Sequence, residues 1–191
     1  MSNFIPGKVV KKILTKKGNK LVIRFPRWED IDELTRYINK LSKEDIYIPF
    51  SGETITKEEE IKSVASWFVR MEEGDEVFLV VEKDKKIIGV ANITRNTENK
   101  KRSLHVGILG ISVEREFRGE GIGKKFLRTI IDEAKKKIKG LRLIVLQVYG
   151  ENQTAKNLYQ KIGFIKCGEV PEMIYFHGRY ISAITMYLKL K

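Results

Sequence analysis

Seven consecutive residues, Arg118-Gly119-Glu120-Gly121-Ile122-Gly123-Lys124, set three glycines and two cations between the apolar run "HVGILGISVEREF" and the helical pattern "KFLRTIIDEAKKKI". Glycine opens backbone conformations closed to other residues and lets a ligand approach the main chain. At a helix start, four N–H groups lack intrahelical partners and the macrodipole is positive. A strand–glycines–helix junction therefore predicts a concave set of N–H donors suited to a phosphate or pyrophosphate. Arg118, Lys124 and Lys125 add positive charge around it. A merely tight strand-to-helix turn needs one glycine, not three. Two nucleotide signatures fail here. A P-loop would need glycine where Arg118 stands, and Ser or Thr where Lys125 stands. The dinucleotide fingerprint would need glycine at Lys124.

The elements that must position this junction can be read from periodicity. A strand over roughly Ser103–Val113 precedes it. After it, Ile122, Phe126, Leu127, Ile130, Ile131, Ala134 and Ile138 recur at helical spacing, and Gly140 closes the helix. "LRLIVLQVY" is a continuous apolar strand of the kind buried on both faces. This strand–helix–strand unit is a crossover, so its two strands should run parallel. Upstream, "GKVVKKILTKKGNKLVIRF" reads as two strands around a turn, and a helix from Trp28 puts Ile31, Leu34, Tyr37, Ile38 and Leu41 on one face. A second helix starts at Thr56, an N-cap with Glu59 three residues on, and ends at Gly74. "VFLVVEKDKKIIGVANIT" is a hairpin. Downstream, the helix "NQTAKNLYQKI" stops at Gly163, and two strands, about Phe164–Phe176 and Tyr180–Leu188, meet near His177-Gly178. The sum is an α/β (α+β) fold: a mixed, largely antiparallel sheet with one central parallel strand pair and helices on both faces.

A chain of 191 residues with 42% hydrophobic content fits one domain over 1–191, with residues 1–20 as an N-terminal strand extension. Cys167 is the only cysteine and there are two histidines, which excludes an intrachain disulfide and argues against a metal site. Lys and Arg number 37 against 25 Asp and Glu, a net charge of +12 that favours anionic partners. Lys-rich runs such as "AKKKIK" also read as solvated faces. No signal peptide or membrane span is visible, which sets the cytoplasm as the expected compartment. Helix-turn-helix, zinc and aromatic RNA-binding signatures are missing, so nucleic acid is not an expected partner. The oligomeric state is open, a homodimer included.

Two segments together carry a family resemblance. "RGEGIGKKFL" is similar to the R/Q-x-x-G-x-G/A signature of the GCN5-related N-acetyltransferases (GNAT), through Arg118, Gly121 and Gly123. "ENQTAKNLYQKIGF" resembles that family's N-x-x-A-x-x-L-Y-x-K-x-G-F segment, through Asn152, Ala155, Leu158, Tyr159, Lys161, Gly163 and Phe164. The resemblance spans about Leu21 to Leu190. It implies the GNAT fold, an acyltransferase of the EC 2.3.1 class, and acetyl-coenzyme A as cofactor with no metal.

The same resemblance implies roles for particular residues. The strands ending near Val113 and Val148 would part and admit the pantetheine arm, which would pair with backbone at Ile111, Ser112 and Val113. The diphosphate would rest on Arg118, Gly119, Glu120, Gly121, Ile122, Gly123 and Lys124. An N–H near Val113 would polarise the thioester carbonyl, and Asn152 would hydrogen-bond the pantetheine. Tyr159 would protonate the departing thiolate, a task that suits a phenol still protonated at neutral pH. The amine acceptor, a protein or a small molecule, must lose a proton before it attacks. Relatives often carry Glu where this chain has Ile108, so the general base is open among Glu53, His105, Glu151 and a water chain. His105 reads as a strand histidine, His177 as a turn residue and Cys167 as a small core hydrophobe. Direct transfer through a ternary complex is the expected mechanism. A catalytically weak acyl-coenzyme A-binding or sensing protein of the same fold is the alternative.

Overall fold

The computed structural model describes residues 4–190; Met1–Asn3, part of the expected N-terminal extension, and Lys191 lie outside them. The described residues form two compact units. One holds the chain up to Thr94 together with Gly110–Lys139, and the other holds Arg95–Leu109 with the chain from Gly140 onward.

In the first unit, β1 (Val9–Leu14), β2 (Lys20–Arg24), β3 (Glu76–Lys83) and β4 (Lys86–Arg95) pair antiparallel in sequence order. The end of β5 (Val106–Val113) follows, with Glu114 N–H donating to the Ile88 carbonyl at 2.9 Å. Residues 8–25 thus contribute a strand pair, as the sequence suggested. Helix α1 (Ile31–Lys43) buries Leu34, Tyr37 and Leu41, three of its expected apolar face. Helix α2 (Lys57–Glu73) begins with the expected capping box between Thr56 and Glu59 and ends at Gly74 in the left-handed conformation. Helix α3 (Ile122–Lys137) buries Ile122, Phe126, Leu127, Ile130, Ile131 and Ala134. It stops at Lys137, not at Gly140, because Ile138 is extended.

A buried ion cluster ties β2 to the segment before α1. Arg24 donates to both oxygens of Asp30, at 2.6 and 2.8 Å, and to Glu82 at 2.6 and 2.8 Å. Such a group is tolerated inside only because every charge has a partner.

In the second unit, the start of β5 runs parallel to β6 (Leu143–Tyr149), pairing Val106 with Leu143 and Ile108 with Val145. β8 (Arg179–Lys189) pairs antiparallel with β6 on one side and with β7 (Ile165–Phe176) on the other. Helix α4 (Gln153–Ile162) is closed by left-handed Gly163. Among the described residues, the eight strands are therefore mostly antiparallel with one parallel pair, β5–β6, as the crossover argument required.

Three expectations need correction. β6 is not buried on both faces: Ile144, Leu146 and Val148 are buried while Gln147 is exposed, the alternation of a strand with one covered face. β5 begins at Val106, so His105 lies in the preceding turn, where its carbonyl accepts from the N–H groups of Arg142 and Leu143. Cys167 is exposed rather than core, its thiol 3.5 Å from the Thr185 carbonyl, because it sits on the open face of β7. Among the described residues no helix is long and apolar enough to cross a membrane.

Candidate functional site

The junction after β5 is built from a buried anchor outward. Glu114 accepts from Arg36 Nη1 and Lys40 Nζ, each at 2.8 Å. Burial alone would raise its carboxyl, but the bonds from Lys40 and Arg36 outweigh that and hold it below the ordinary range. A short 3-10 turn, Arg115–Phe117, carries the chain to Arg118. Gly119 and Gly121 then adopt φ of 78° and 81°, a region other residues enter only with strain. Gly123 lies within the first turn of α3. The first intrahelical bond is from Lys125 N–H to the Gly121 carbonyl, at 3.5 Å. Ile122, Gly123 and Lys124 therefore present N–H groups without helical acceptors, at the positive end of a four-turn dipole.

The side chains of this segment point their polar ends elsewhere. Arg118 donates from Nε to the Val113 carbonyl at 2.8 Å and pairs with Glu44 at 3.0 Å. Lys125 donates to the Leu14 carbonyl at 2.5 Å. Glu120, 4% exposed, turns to the β1–β2 turn, where Asn19 Nδ2 donates to it at 3.0 Å and Lys17 stands 3.4 Å away. Donors from Thr15 and Asn19, with Lys17 beside them, hold its carboxyl below the ordinary range. Lys16 N–H adds a backbone bond to the Glu120 carbonyl at 3.2 Å. Of the three expected cations, Lys124 alone is exposed with its ammonium unpaired among the described residues. What the junction offers a ligand is main chain, latched from behind by a hairpin that sequence reading placed outside the site.

On β5, Ile111, Ser112 and Val113 are half-buried. Ser112 Oγ lies 2.9 Å from the hydroxyl of Tyr37, which burial pushes well above the ordinary tyrosine range. Tyr37 had been legible only as an apolar helix position. Its hydroxyl makes it a fixed polar point against the strand.

Among the acid–base candidates, Glu53 is exposed, and its carboxylate accepts from Ser51 N–H. That bond, then one from its own N–H, holds it below the ordinary range, so it is a poor proton acceptor near neutral pH. Glu151 pairs with Arg179 at 2.8 Å. Ile108 is 42% exposed. His177 lies in the β7–β8 turn with its ring stacked on Phe176. Asn152 caps α4, accepting from Ala155 N–H at 3.0 Å, which leaves its amide NH₂ as the available donor. Tyr159 is 8% exposed, and burial pushes its phenol up to about 12.

One carboxylate was missed. Glu60, on the inner face of α2, is 5% exposed, and its carboxylate makes no hydrogen bond or ion pair among the described residues. Burial alone pushes it up to about 7. Among the described residues every wholly enclosed polar side-chain atom has a partner, so its unpaired oxygens must reach solvent. A signal existed: Glu60 stands four residues before Val64 and eight before Phe68, in step with the buried stripe.

Comparison with known proteins gives the family and the fold. A family model described as "Acetyltransferase (GNAT) family" matches residues 39–164, a stretch that runs through both units. A GNAT-family acetyltransferase structure from Streptococcus pneumoniae is similar with a TM-score of 0.80 and 28% identity, covering 90% of this chain and 99% of that one. The structure of yncA from Salmonella typhimurium, solved with its cofactor acetyl-CoA, shares the fold with a TM-score of 0.75 and 22% identity, over 90% of this chain and 94% of that one. The L-amino acid N-acyltransferase MnaT of Escherichia coli is 30% identical over 80 residues, 42% of this chain. That match spans 45% of the relative's own length.

Proposed function

This chain belongs to the acetyltransferase (GNAT) family, and from that premise we propose that it moves an acetyl group from acetyl-coenzyme A directly to a primary amine. The observation that carries the reading is the conformation of Gly119 and Gly121, which ends β5 and starts α3 with N–H groups free of helical acceptors. A diphosphate accepts hydrogen bonds and carries negative charge, so it fits that set of donors. Arg118, occupied by Glu44 and Val113, holds the shape of the loop and adds charge at its edge.

In this reading the backbone at Ile111, Ser112 and Val113 pairs with the pantetheine arm, and an N–H near Val113 stabilises the oxyanion formed when the amine attacks. Tyr37, bonded to Ser112, fixes that side chain. Asn152 contributes its amide NH₂ to the pantetheine. Tyr159 supplies a proton to the leaving thiolate; burial pushes its phenol up to about 12, which keeps it protonated at neutral pH, and its proton moves as the attacking nitrogen gives up its own. The thioester C–S bond breaks as the amide C–N bond forms.

The acceptor is a protein N-terminus, a lysine, or a small amine or amino acid; the E. coli relative is named for L-amino acids. Thiol release from acetyl-coenzyme A over a panel of these amines tests the reading. Turnover on one class is expected, with Tyr159→Phe lowering kcat by roughly 10- to 100-fold while coenzyme affinity holds. Unchanged kcat in that variant removes Tyr159 from its role. The exposed Ile108 favours a second reading, a binding protein that senses acyl-coenzyme A. Thermal stabilisation by acetyl-coenzyme A without turnover on any amine would select it.

A further inference from the structure

Two contacts fix the course of α2 over the first unit's strands. Arg70 Nε donates to Glu76 at the start of β3 at 2.6 Å, and Trp67 stacks on Phe78 with ring centroids 4.2 Å apart. The helix therefore runs antiparallel to β3. From Trp67 back to Glu60 it climbs about 10 Å, at ~1.5 Å per residue. The same distance is about three residues of strand at ~3.3 Å each. The level advances from Phe78 to Val81, whose partner on β4 is Gly89. A Cβ on Gly89 would stand 3.2 Å from the Ser112 carbonyl oxygen and 3.4 Å from the Val113 side chain. Glu60 thus stands level with the end of β5.

The other end of the helix gives the same answer. Ile55, two residues before α2, exchanges bonds with Asn39 at 2.7 and 2.8 Å. Asn39 is two residues beyond Tyr37, whose hydroxyl reaches Ser112.

Inward-facing and level with Ser112, the Glu60 carboxylate has no partner among the described residues. The main elements packed on α2 are α1 and β3, with Phe4 and Trp28 against its Phe68. Nearly all charged groups of α1 and β3 are engaged within the protein; Lys43 is exposed at the far end of α1, and Lys83 lies over the Phe117 ring. On α1, Asp32 meets Lys57, Arg36 meets Glu33 and Glu114, and Lys40 meets Glu114 and Glu116. On β3, Glu76 is held by Arg70 and Glu82 by Arg24. A nearly buried anion kept without a counter-charge marks a place where one is supplied from outside. The complementary ligand is a small cation able to reach it through the opening its oxygens keep.

We propose that Glu60 receives the acceptor's ammonium group and removes its proton. The inference rests on the acetyltransferase reading above. The ammonium gives one proton to a Glu60 oxygen, and the neutral amine attacks the thioester carbonyl carbon. The C–N bond forms, the C–S bond breaks, and the thiolate takes a proton from Tyr159. The nitrogen's surplus proton replaces the one the phenol gave up, and Glu60 returns its own to solvent. Ammonium and thioester become amide, thiol and one proton.

The test is Glu60→Gln, which keeps shape and removes charge, with Glu60→Asp as the charge-keeping control. On an active acceptor, Glu60→Gln should lower kcat/KM about 100-fold or more. The wild type should lose kcat/KM below about pH 7, and Glu60→Gln should abolish that loss. The KM for acetyl-coenzyme A should hold, and Glu60→Asp should retain more activity than Glu60→Gln. A Glu60→Gln profile matching the wild type in rate and pH overturns the proposal. Calorimetry with n-butylamine at pH 8 separates the two claims. Binding by the wild type and at least tenfold weaker binding by Glu60→Gln is expected whether or not turnover occurs. Equal binding, or none by either, overturns the receiving role; binding without turnover on any amine overturns the transfer reading and the proton step while the receiving role stands.

Discussion

Between residues 119 and 124 the chain offers main-chain N–H groups at the start of α3, while the side chains of Arg118 and Glu120 hold other parts of the first unit. Between residues 53 and 60 it is the side chains that differ, and environment divides two carboxylates. Glu53 is exposed, fixed by its own loop and held below the ordinary range. Glu60 is enclosed, unpartnered and raised to about 7. One segment works through conformation, which residue type dictates. The other works through burial, which the whole unit dictates. Substitutions should therefore act on binding in the first region and on proton transfer in the second.

The largest effect should come from Gly121→Val. A β-branched residue at φ 81° is strained, and relieving the strain displaces the N-terminal turn of α3. Coenzyme affinity by calorimetry should fall about 100-fold or more, with the protein destabilised by roughly 1–3 kcal/mol. Retained affinity would show that the junction's conformation is dispensable. Next comes the carboxylate pair. Glu60→Gln should lower kcat/KM about 100-fold, and Glu53→Gln less than about threefold. Equal losses would erase the contrast between them.

Stability separates them again. The folded-state pKa of Glu60 lies above that of an ordinary carboxyl, so the native state binds more protons between about pH 4.5 and 7. Its stability contribution therefore worsens as pH rises through that window. Glu60→Gln should be more stable than the wild type at pH 8, by about 2 kcal/mol once the remaining water contact is discounted, and indistinguishable from it near pH 4. Parallel melting curves at both pH values check this, and a destabilised variant at pH 8 would assign Glu60 a structural role. The smallest effect is expected from Glu120→Ala. It frees the junction from Thr15, Lys17 and Asn19 without touching the N–H donors. Coenzyme affinity should fall about three- to tenfold with kcat unchanged, since a looser loop loses preorganisation. No change would mean that the hairpin latch is irrelevant to binding.

What could be read in advance follows the same division. The capping box at Thr56–Glu59, the left-handed stops at Gly74 and Gly163 and the parallel β5–β6 pair are set by neighbours in sequence, and all are present. The glycine junction was legible for the same reason. β6 misled because an apolar run cannot say which face is covered, and Gln147 faces out. Cys167 misled because β7 presents most of its residues to solvent. The latch on Glu120 needs a hairpin about a hundred residues earlier in the chain, which no local pattern announces. Glu60 was masked by the acidic run "EEE", in which Glu58 and Glu59 are exposed and the third residue turns inward. The register of Val64, Phe68 and Met71 would have singled it out.

The main-chain N–H groups can be observed one by one. In an ¹⁵N-labelled sample titrated with coenzyme A, the amide resonances of Gly119 to Lys124 should move furthest and together, and adding desulfo-coenzyme A, which keeps the diphosphate, should move them alike. If coenzyme A leaves those amides in place while resonances elsewhere shift, the diphosphate is held by other residues and the account of the junction is contradicted.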